Sequence, residues 1–160
     1  MLAIIGFASV FGILAWIFAI VADAFAINIT YNALQGKKVT LSEAWNEIGT
    51  NKIVMLVVVS IITILLKLVG LLFFCIGYFI VAILLIFVSQ GVVLDNLGFD
   101  TFGNSYNIAK KNFVDILVLV LIFFVLWILL TRIPIIGGIL GILVGIYAVV
   151  SYTILYADRK

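Results

Sequence analysis

The stretch DTFGNSYNIAKKN, residues 100–112, decides the fold because the chain contains a second version of it sixty-one residues earlier, VTLSEAWNEIGTN at residues 39–51. One threonine and two asparagines recur at matching places, and Trp45 is replaced by Tyr106. A long apolar run with a brief interruption follows each version. The sequence therefore predicts a unit, used twice, that consists of a short amphipathic helix and a transmembrane hairpin.

The composition is that of a chain surrounded by lipid. Of the 160 residues, 67% are hydrophobic and 10% are charged, and the mean hydropathy is +1.45. Soluble domains contain about 45–50% apolar and about 25% charged residues. The net charge of +2 is too small to indicate a nucleic-acid partner. We expect an integral membrane protein that does not bind nucleic acid.

The apolar runs predict an all-α membrane protein with five spans. The first run is long enough to cross ~30 Å of hydrocarbon as a helix, which we expect to continue to residue 34. Residues 53–94 would make one straight helix of ~60 Å, so the chain must fold back. The repeat places that turn near Gly70, and Arg132 to Pro134 form the matching turn. The predicted spans are residues 2–22, 53–68, 71–94, 113–130 and 135–156.

These elements form a single membrane domain of residues 1–160. It divides into a first span at 1–35, a first repeat at 36–95 and a second repeat at 96–160. We expect the first span to be retained rather than cleaved, because no basic residue precedes it. Its apolar run also exceeds the ~7–15 residues usual in a signal peptide.

The two amphipathic helices are predicted to lie on the membrane surface. Thr40 and Glu43 have capping-box spacing at the start of the first helix, and Asp100 or Thr101 caps the second. An ordinary cytosolic helix packed on a partner is the alternative. Aromatic residues flanking a span favour the interface, and basic residues suit a helix C-terminus. The predicted lipid-facing residues are Trp45, Phe102, Tyr106, Lys110 and Lys111.

The distribution of basic residues predicts the orientation. With five spans, seven of the nine basic residues fall on one side of the membrane. The positive-inside rule then places the N-terminus outside and the C-terminus in the cytoplasm of a multi-pass cell-membrane protein. The seven residues are Lys37, Lys38, Lys52, Lys110, Lys111, Arg159 and Lys160.

Three short motifs, GKKVTLSEAW at 36–45, SYNIAKKNF at 105–113 and SYTILYADRK at 151–160, carry a resemblance. The chain resembles the family of the membrane domain found on some glycerophosphoryl diester phosphodiesterases and on related prokaryotic multi-pass proteins. The matching positions are Glu43-Ala44, Ser105-Tyr106 with Lys111-Asn112, and Leu155-Tyr156-Ala157-Asp158-Arg159. The resemblance implies a helical membrane domain without a known activity. Family members often have six spans, so either one span is missing or the start lies upstream.

Catalytic and metal-binding chemistry is not indicated. Metal and haem sites need clustered His, Cys or carboxylate ligands, but the chain has no histidine and only Cys75. Cys75 is interpreted as a small hydrophobic residue. Asp23 is the only acidic residue expected within reach of the membrane interior, so a pair of catalytic aspartates is lacking. We therefore expect a protein that is not an enzyme and has no cofactor.

Polar residues inside the apolar runs are the candidates for function. Asp23 follows twenty-one residues without a charge and is expected near the cytosolic interface, while Lys67 is expected near the opposite one. Ser60, Thr63 and Lys67 share a helical face and could line a path for a polar solute. Ser and Thr also bond harmlessly to their own helix backbone. Gln90, beside Ser89, is interpreted as bonding a neighbouring helix. The candidate intramembrane polar residues are Asp23, Ser60, Thr63 and Gln90.

Gly137, Gly141 and Gly145 recur at every fourth residue and predict a close contact between helices. The partner helix belongs either to the same chain or to another subunit.

Two functions remain from the sequence. The first is a non-enzymatic membrane module that organises lipids or partner proteins, with membrane lipids and either a second copy or another membrane protein as partners. The alternative is a transporter or channel-like carrier of a small or amphipathic molecule. A polar cavity involving Ser60 and Thr63 would favour the carrier, and a dry, aliphatic bundle axis would exclude it.

Overall fold

The computed structural model describes the backbone of residues 2–72, 74–133 and 136–160, and the side chains of 10–72, 76–130, 132–133 and 137–160. The side chain of Cys75 and the turn at Pro134 lie outside these residues. Within them the chain is helical, with one short 3-10 turn at Gly98–Asp100. The α-helices are α1 (Leu2–Leu34), α2 (Leu41–Leu71), α3 (Phe74–Leu84), α4 (Val88–Asp95), α5 (Thr101–Lys111), α6 (Phe113–Thr131) and α7 (Ile136–Arg159).

Five segments of the described chain are long and apolar enough to cross a membrane, which confirms the predicted number of spans. This is the architecture of a multi-pass membrane protein. The five segments are Val10–Leu34, Leu41–Leu71, Ile76–Asp95, Phe113–Leu130 and Gly137–Arg159.

The bundle has two distinct ends. At one, which we call the polar end, Lys52 Nζ donates to the Val93 carbonyl at 2.9 Å and Lys160 Nζ lies 2.7 Å from Asp95 Oδ1. At the other, the turn end, α2 and α3 meet so closely that a Cβ on Gly70 would lie 2.9 Å from the Gly77 carbonyl oxygen. The charged segments of the chain therefore gather at the polar end.

The helix α2 begins with the predicted capping box. The Glu43 amide donates to Thr40 Oγ1 at 3.4 Å, and the Thr40 amide donates to Glu43 Oε2 at 2.7 Å. Gly49 then has φ +65° and ψ 160°, a conformation that is open to glycine and separates residues 41–48 from the apolar part of α2. A sharp bend at Gly49 thus precedes residue 53, where the sequence predicted the start of the second span.

The third span is broken, whereas the sequence predicted one continuous helix over residues 71–94. The Phe87 amide donates to Ser105 Oγ at 3.1 Å, and Ser105 Oγ donates to the Leu84 carbonyl at 2.8 Å. A side chain that enters the backbone ladder in this way interrupts a helix. Residues 85–87 consequently form a turn between α3 and α4.

The start of α5 also differs from the prediction that Asp100 or Thr101 caps it. Asp100 makes no capping hydrogen bond, and Thr101 Oγ1 donates instead to the Val88 carbonyl at 2.8 Å. The small side chains of α5 face the bundle because Thr101 and Ser105 provide backbone partners for the broken span. Phe102 is only partly buried and Tyr106 is exposed. The buried residues of α5 are Thr101, Ser105, Ile108 and Ala109.

Two apolar clusters hold the helices together. One joins α1, α2 and α4 around Ile27, Leu56 and Val92. The other joins α3, α5, α6 and α7 around Ile83, Phe87 and Tyr156. Between the clusters the helices do not close completely, and this gap forms a cavity.

Candidate functional site: a polar cavity inside the bundle

A cavity of about 450 Å³ lies between the helices, and all five spans contribute to its wall. This volume falls in the range of small-molecule sites, about 300–1,000 Å³. Most of the wall is apolar. Its polar residues are Asp23 from α1, Ser60, Thr63 and Lys67 from α2, Ser89 and Gln90 from α4, and Tyr152 from α7.

The structure brings together the four intramembrane polar residues that the sequence singled out. Ser60 and Thr63 lie one helical turn apart on α2, and they share the cavity with Asp23 and Gln90. The spacing of Ser60, Thr63 and Lys67 indicated one face of α2, but it could not indicate that α1 and α4 present polar groups to that face. The bundle interior is therefore not a dry, aliphatic axis.

Two polar atoms of the wall are buried without a protein partner. The Gln90 side chain is 3% exposed, yet its Oε1 accepts no hydrogen bond within the described chain. Thr63 Oγ1 is also buried and has no hydrogen-bond partner within the described chain. A buried polar group without a hydrogen bond costs about 1–3 kcal/mol in proteins. Gln90 was predicted to bond a neighbouring helix, but its Oε1 has no such bond. This oxygen can therefore accept a hydrogen bond from a ligand.

The two charged residues of the wall, Asp23 and Lys67, lie on different helices. Within the described residues, neither forms an ion pair or a hydrogen bond with the protein. The sequence placed Lys67 at the far interface, and its position four residues before the end of α2 agrees with that depth. Lys67 also lines the cavity, together with Ser60 and Thr63 of the face that it shares with them on α2.

Aromatic wall residues were also missed. Trp16, Phe79 and Tyr152 come from three different spans, and no periodicity within one span distinguishes them from lipid-facing aromatic residues. Tyr152 continues the glycine face of α7, which was interpreted as a packing surface. Only the three-dimensional arrangement assigns these rings to the cavity.

The predicted helix-packing glycines lie elsewhere. A Cβ added to Gly141 or Gly145 would meet open space within the described part of the chain. The close helix contact predicted for these positions is therefore not made at Gly141 and Gly145 inside the described chain. Gly137 is buried.

The predicted interfacial residues do not all lie at one end, because Trp45 belongs to residues 41–48, which bond to α1, whereas Tyr106 borders Leu66 and Gly70 of α2. Trp45 is 47% exposed and stacks on Phe25, with ring centroids 6.0 Å apart. Lys110 Nζ lies 5.7 Å from the centre of the Tyr106 ring, and Lys111 is exposed. Phe102 packs in part against the cluster formed by α1, α2 and α4.

A second polar cluster at the polar end is fully partnered. Asn28 and Asn32 each donate from Nδ2 to Glu47 Oε2 at 2.9 Å, which fastens residues 41–48 to α1. Because these side chains satisfy one another, this cluster has the properties of a structural joint rather than of a ligand site.

No protein-family model, curated protein or solved structure matches this chain. The resemblance described above rests on its three short motifs alone.

The described residues include no group of three or more His, Cys, Asp or Glu side chains that could hold a metal ion. The cavity instead offers one carboxylate, one ammonium group, an amide and four hydroxyls on largely apolar walls. Such a lining can bind and orient a polar or amphipathic molecule.

Proposed function

We propose that this protein is a carrier that binds a small polar or amphipathic molecule in the cavity between its five spans. The observation that carries the proposal is the convergence of Asp23, Ser60, Thr63 and Gln90 on one cavity. Polar and charged groups inside a membrane are costly and are found where they face a cavity or a pathway. The partnerless oxygens of Thr63 and Gln90 support a bound ligand, because it would supply their missing hydrogen bonds.

The membrane orientation and the internal repeat belong to the same proposal. We propose that the polar end faces the cytoplasm and that the N-terminus is outside. The positions of Lys52 and Lys160 at that end support this arrangement. The repeat is supported by the two short helices, since residues 41–48 bond to α1 through Glu47 and α5 bonds to the third span through Ser105. Both short helices would lie at the cytoplasmic membrane surface.

The carrier is tested by filling the cavity. The protein in mild detergent is incubated with a lipid and metabolite extract of the membrane in which it was expressed, and bound molecules are identified by native mass spectrometry. In Ser60→Phe the new ring occupies the cavity, so the bound molecule should be lost. The control is Ile61→Phe, because Ile61 is 45% exposed on the outer surface of the same helix.

Retention of the molecule by Ile61→Phe and its loss from Ser60→Phe support the proposal. A wild-type protein that binds nothing, or equal binding by the two variants, overturns it. Transport is then measured by loading liposomes with the identified molecule and comparing its efflux between the same variants.

A second function, organising lipids or a partner membrane protein, is favoured by the surface of α7. Gly141 and Gly145 present an open strip on which another helix could approach closely. In Gly141→Leu a dimer formed through this strip should dissociate while the monomer remains folded. Cross-linking in lipid bilayers measures the oligomer, and Ile142→Leu is the control. An unchanged oligomer would exclude this strip as an interface.

A further inference from the structure

The two charges of the cavity differ in depth. Asn28 marks the polar end, because it bonds to Glu47 of residues 41–48. Asp23 lies five residues before Asn28, and an α-helix rises ~1.5 Å per residue. Asp23 is therefore about 8 Å from the polar end. Lys67 lies eighteen residues beyond the bend at Gly49, about 27 Å along α2. Both line one cavity, so its length separates a negative group from a positive one by roughly 15–20 Å.

Gln90 lies at the same depth as Asp23. It precedes Asn96, at the end of α4, by six residues or about 9 Å. Its Oε1 can only accept hydrogen bonds, and an ammonium group carries three donors without an acceptor. The polar half of the cavity therefore presents a carboxylate and a buried, partnerless acceptor, which together suit a cationic donor.

The other half has the opposite preference. Lys67 supplies a positive charge with three donors and has no counter-ion within the described chain. Between the two charged groups the wall is mostly apolar, with Ile20, Ile64 and Ile83 among its residues, and it is interrupted by the hydroxyls of Ser60 and Thr63. A ligand with one charge would leave either Asp23 or Lys67 without compensation in a region of low dielectric constant.

We propose that the ligand is a dipolar amphiphile with an ammonium group at one end, an anionic group at the other and a mostly apolar middle. The ammonium group binds at Asp23 and Gln90, and the anionic group binds at Lys67. This inference rests on the proposed carrier function and specifies its ligand.

The experiment compares four probes with the protein in phosphatidylcholine nanodiscs. 12-Aminododecanoic acid carries both charges at a long separation, whereas dodecylamine and dodecanoic acid each carry one, and 4-aminobutanoic acid carries both at a short separation. Affinity is obtained from the rise in Tm with probe concentration, after subtraction of partitioning into empty nanodiscs. The long dipolar probe should bind at least tenfold more tightly than each of the others.

Charge variants separate recognition from folding. Asp23→Asn should reduce the preference for the dipolar probe over dodecanoic acid at least tenfold, and Lys67→Gln should do the same relative to dodecylamine. Asp100→Asn and Arg132→Gln are the matched controls, because both residues are exposed outside the cavity. A general loss of stability would lower the affinity for all probes and would leave these ratios unchanged.

Each other outcome overturns the inference. Equal binding of dodecylamine and the dipolar probe, with no effect of Lys67→Gln, assigns a simple cation to the site. If 4-aminobutanoic acid binds as tightly as 12-aminododecanoic acid, the site does not require widely separated charges. If no probe binds but Ser60→Phe still releases a co-purified molecule, only the dipolar ligand is wrong. If wild-type protein also binds nothing from the extract, the carrier function fails as well.

Discussion

The hydroxyl of Tyr156 donates a hydrogen bond to Asp95 Oδ2, although the two residues are 61 positions apart in the chain. The same hydroxyl accepts a hydrogen bond from Asn104 Nδ2 at 2.8 Å, and Lys160 Nζ lies 2.7 Å from Asp95 Oδ1. These contacts join the end of α7 to the end of α4 and to α5. The last helix is thus held at the polar end by one aspartate that serves two partners.

Tyr156→Phe removes the hydroxyl and leaves Asp95 Oδ2 and Asn104 Nδ2 without this partner. Tyr156 is fully buried, so we expect the free energy of unfolding to fall by about 1–3 kcal/mol. Equilibrium unfolding in mixed micelles measures the change. Tyr147→Phe is the control because Tyr147 is 68% exposed, and an equal loss in both variants would contradict the role of the network.

Stability should decrease at alkaline pH through Lys160. Partial burial lowers the pKa of Lys160, but the hydrogen bond to Asp95 and its charge outweigh this effect and raise the pKa above the ordinary 10.5. A raised pKa in the folded state means that folding favours the protonated amine. The contribution is therefore complete below about pH 10.5 and is lost as the pH rises through the folded-state value.

Lys160→Met should remove this part of the pH dependence. The free energy of unfolding would then fall less steeply above pH 10.5 than in the wild type. Lys38→Met, which alters an exposed lysine outside the network, should keep the wild-type slope. Parallel curves for the wild type and Lys160→Met would show that the Asp95 contact contributes nothing.

The break in the third span should depend on one hydroxyl. Ser105→Ala leaves the Phe87 amide without its acceptor and the Leu84 carbonyl without its donor, so we expect a loss of about 1–3 kcal/mol. Hydrogen–deuterium exchange at Phe87 should become faster. Ser42→Ala, at an exposed position of α2, is the control, and unchanged exchange in Ser105→Ala would refute the assignment.

Two glycines should respond to alanine with opposite signs. At Gly70 a Cβ would lie 2.9 Å from the Gly77 backbone oxygen, so α2 and α3 must separate at a cost of about 1–3 kcal/mol. At Gly141 a Cβ meets open space, and alanine favours a helix over glycine by about 1 kcal/mol. Thermal unfolding in detergent compares the two variants. Destabilisation by Gly141→Ala would indicate a contact from another molecule at α7.

The sequence allowed the spans to be predicted because their number depends on the length of apolar runs alone. The capping box of Thr40 and Glu43 was equally predictable, since both partners lie within one turn. The break at residues 85–87 was not, because its cause is Ser105, eighteen residues beyond Phe87. The buried face of α5 was not predicted either, because Thr101 and Ser105 are turned inward by their bonds to the third span, which lies elsewhere in the sequence.

The cavity shows a similar division. Asp23, Ser60, Thr63 and Gln90 stood out as polar exceptions in apolar runs, and all four line it. Their convergence depends on how α1, α2 and α4 pack, which no local pattern reveals.

The break in the third span also constrains the order of synthesis. The hydroxyls that bond to the Leu84 and Val88 carbonyls belong to Ser105 and Thr101, which leave the ribosome after the whole span has been made. A span inserted before then has no partner for these contacts. We therefore expect the nascent third helix to be unbroken at first and to take its final shape only when α5 packs against it.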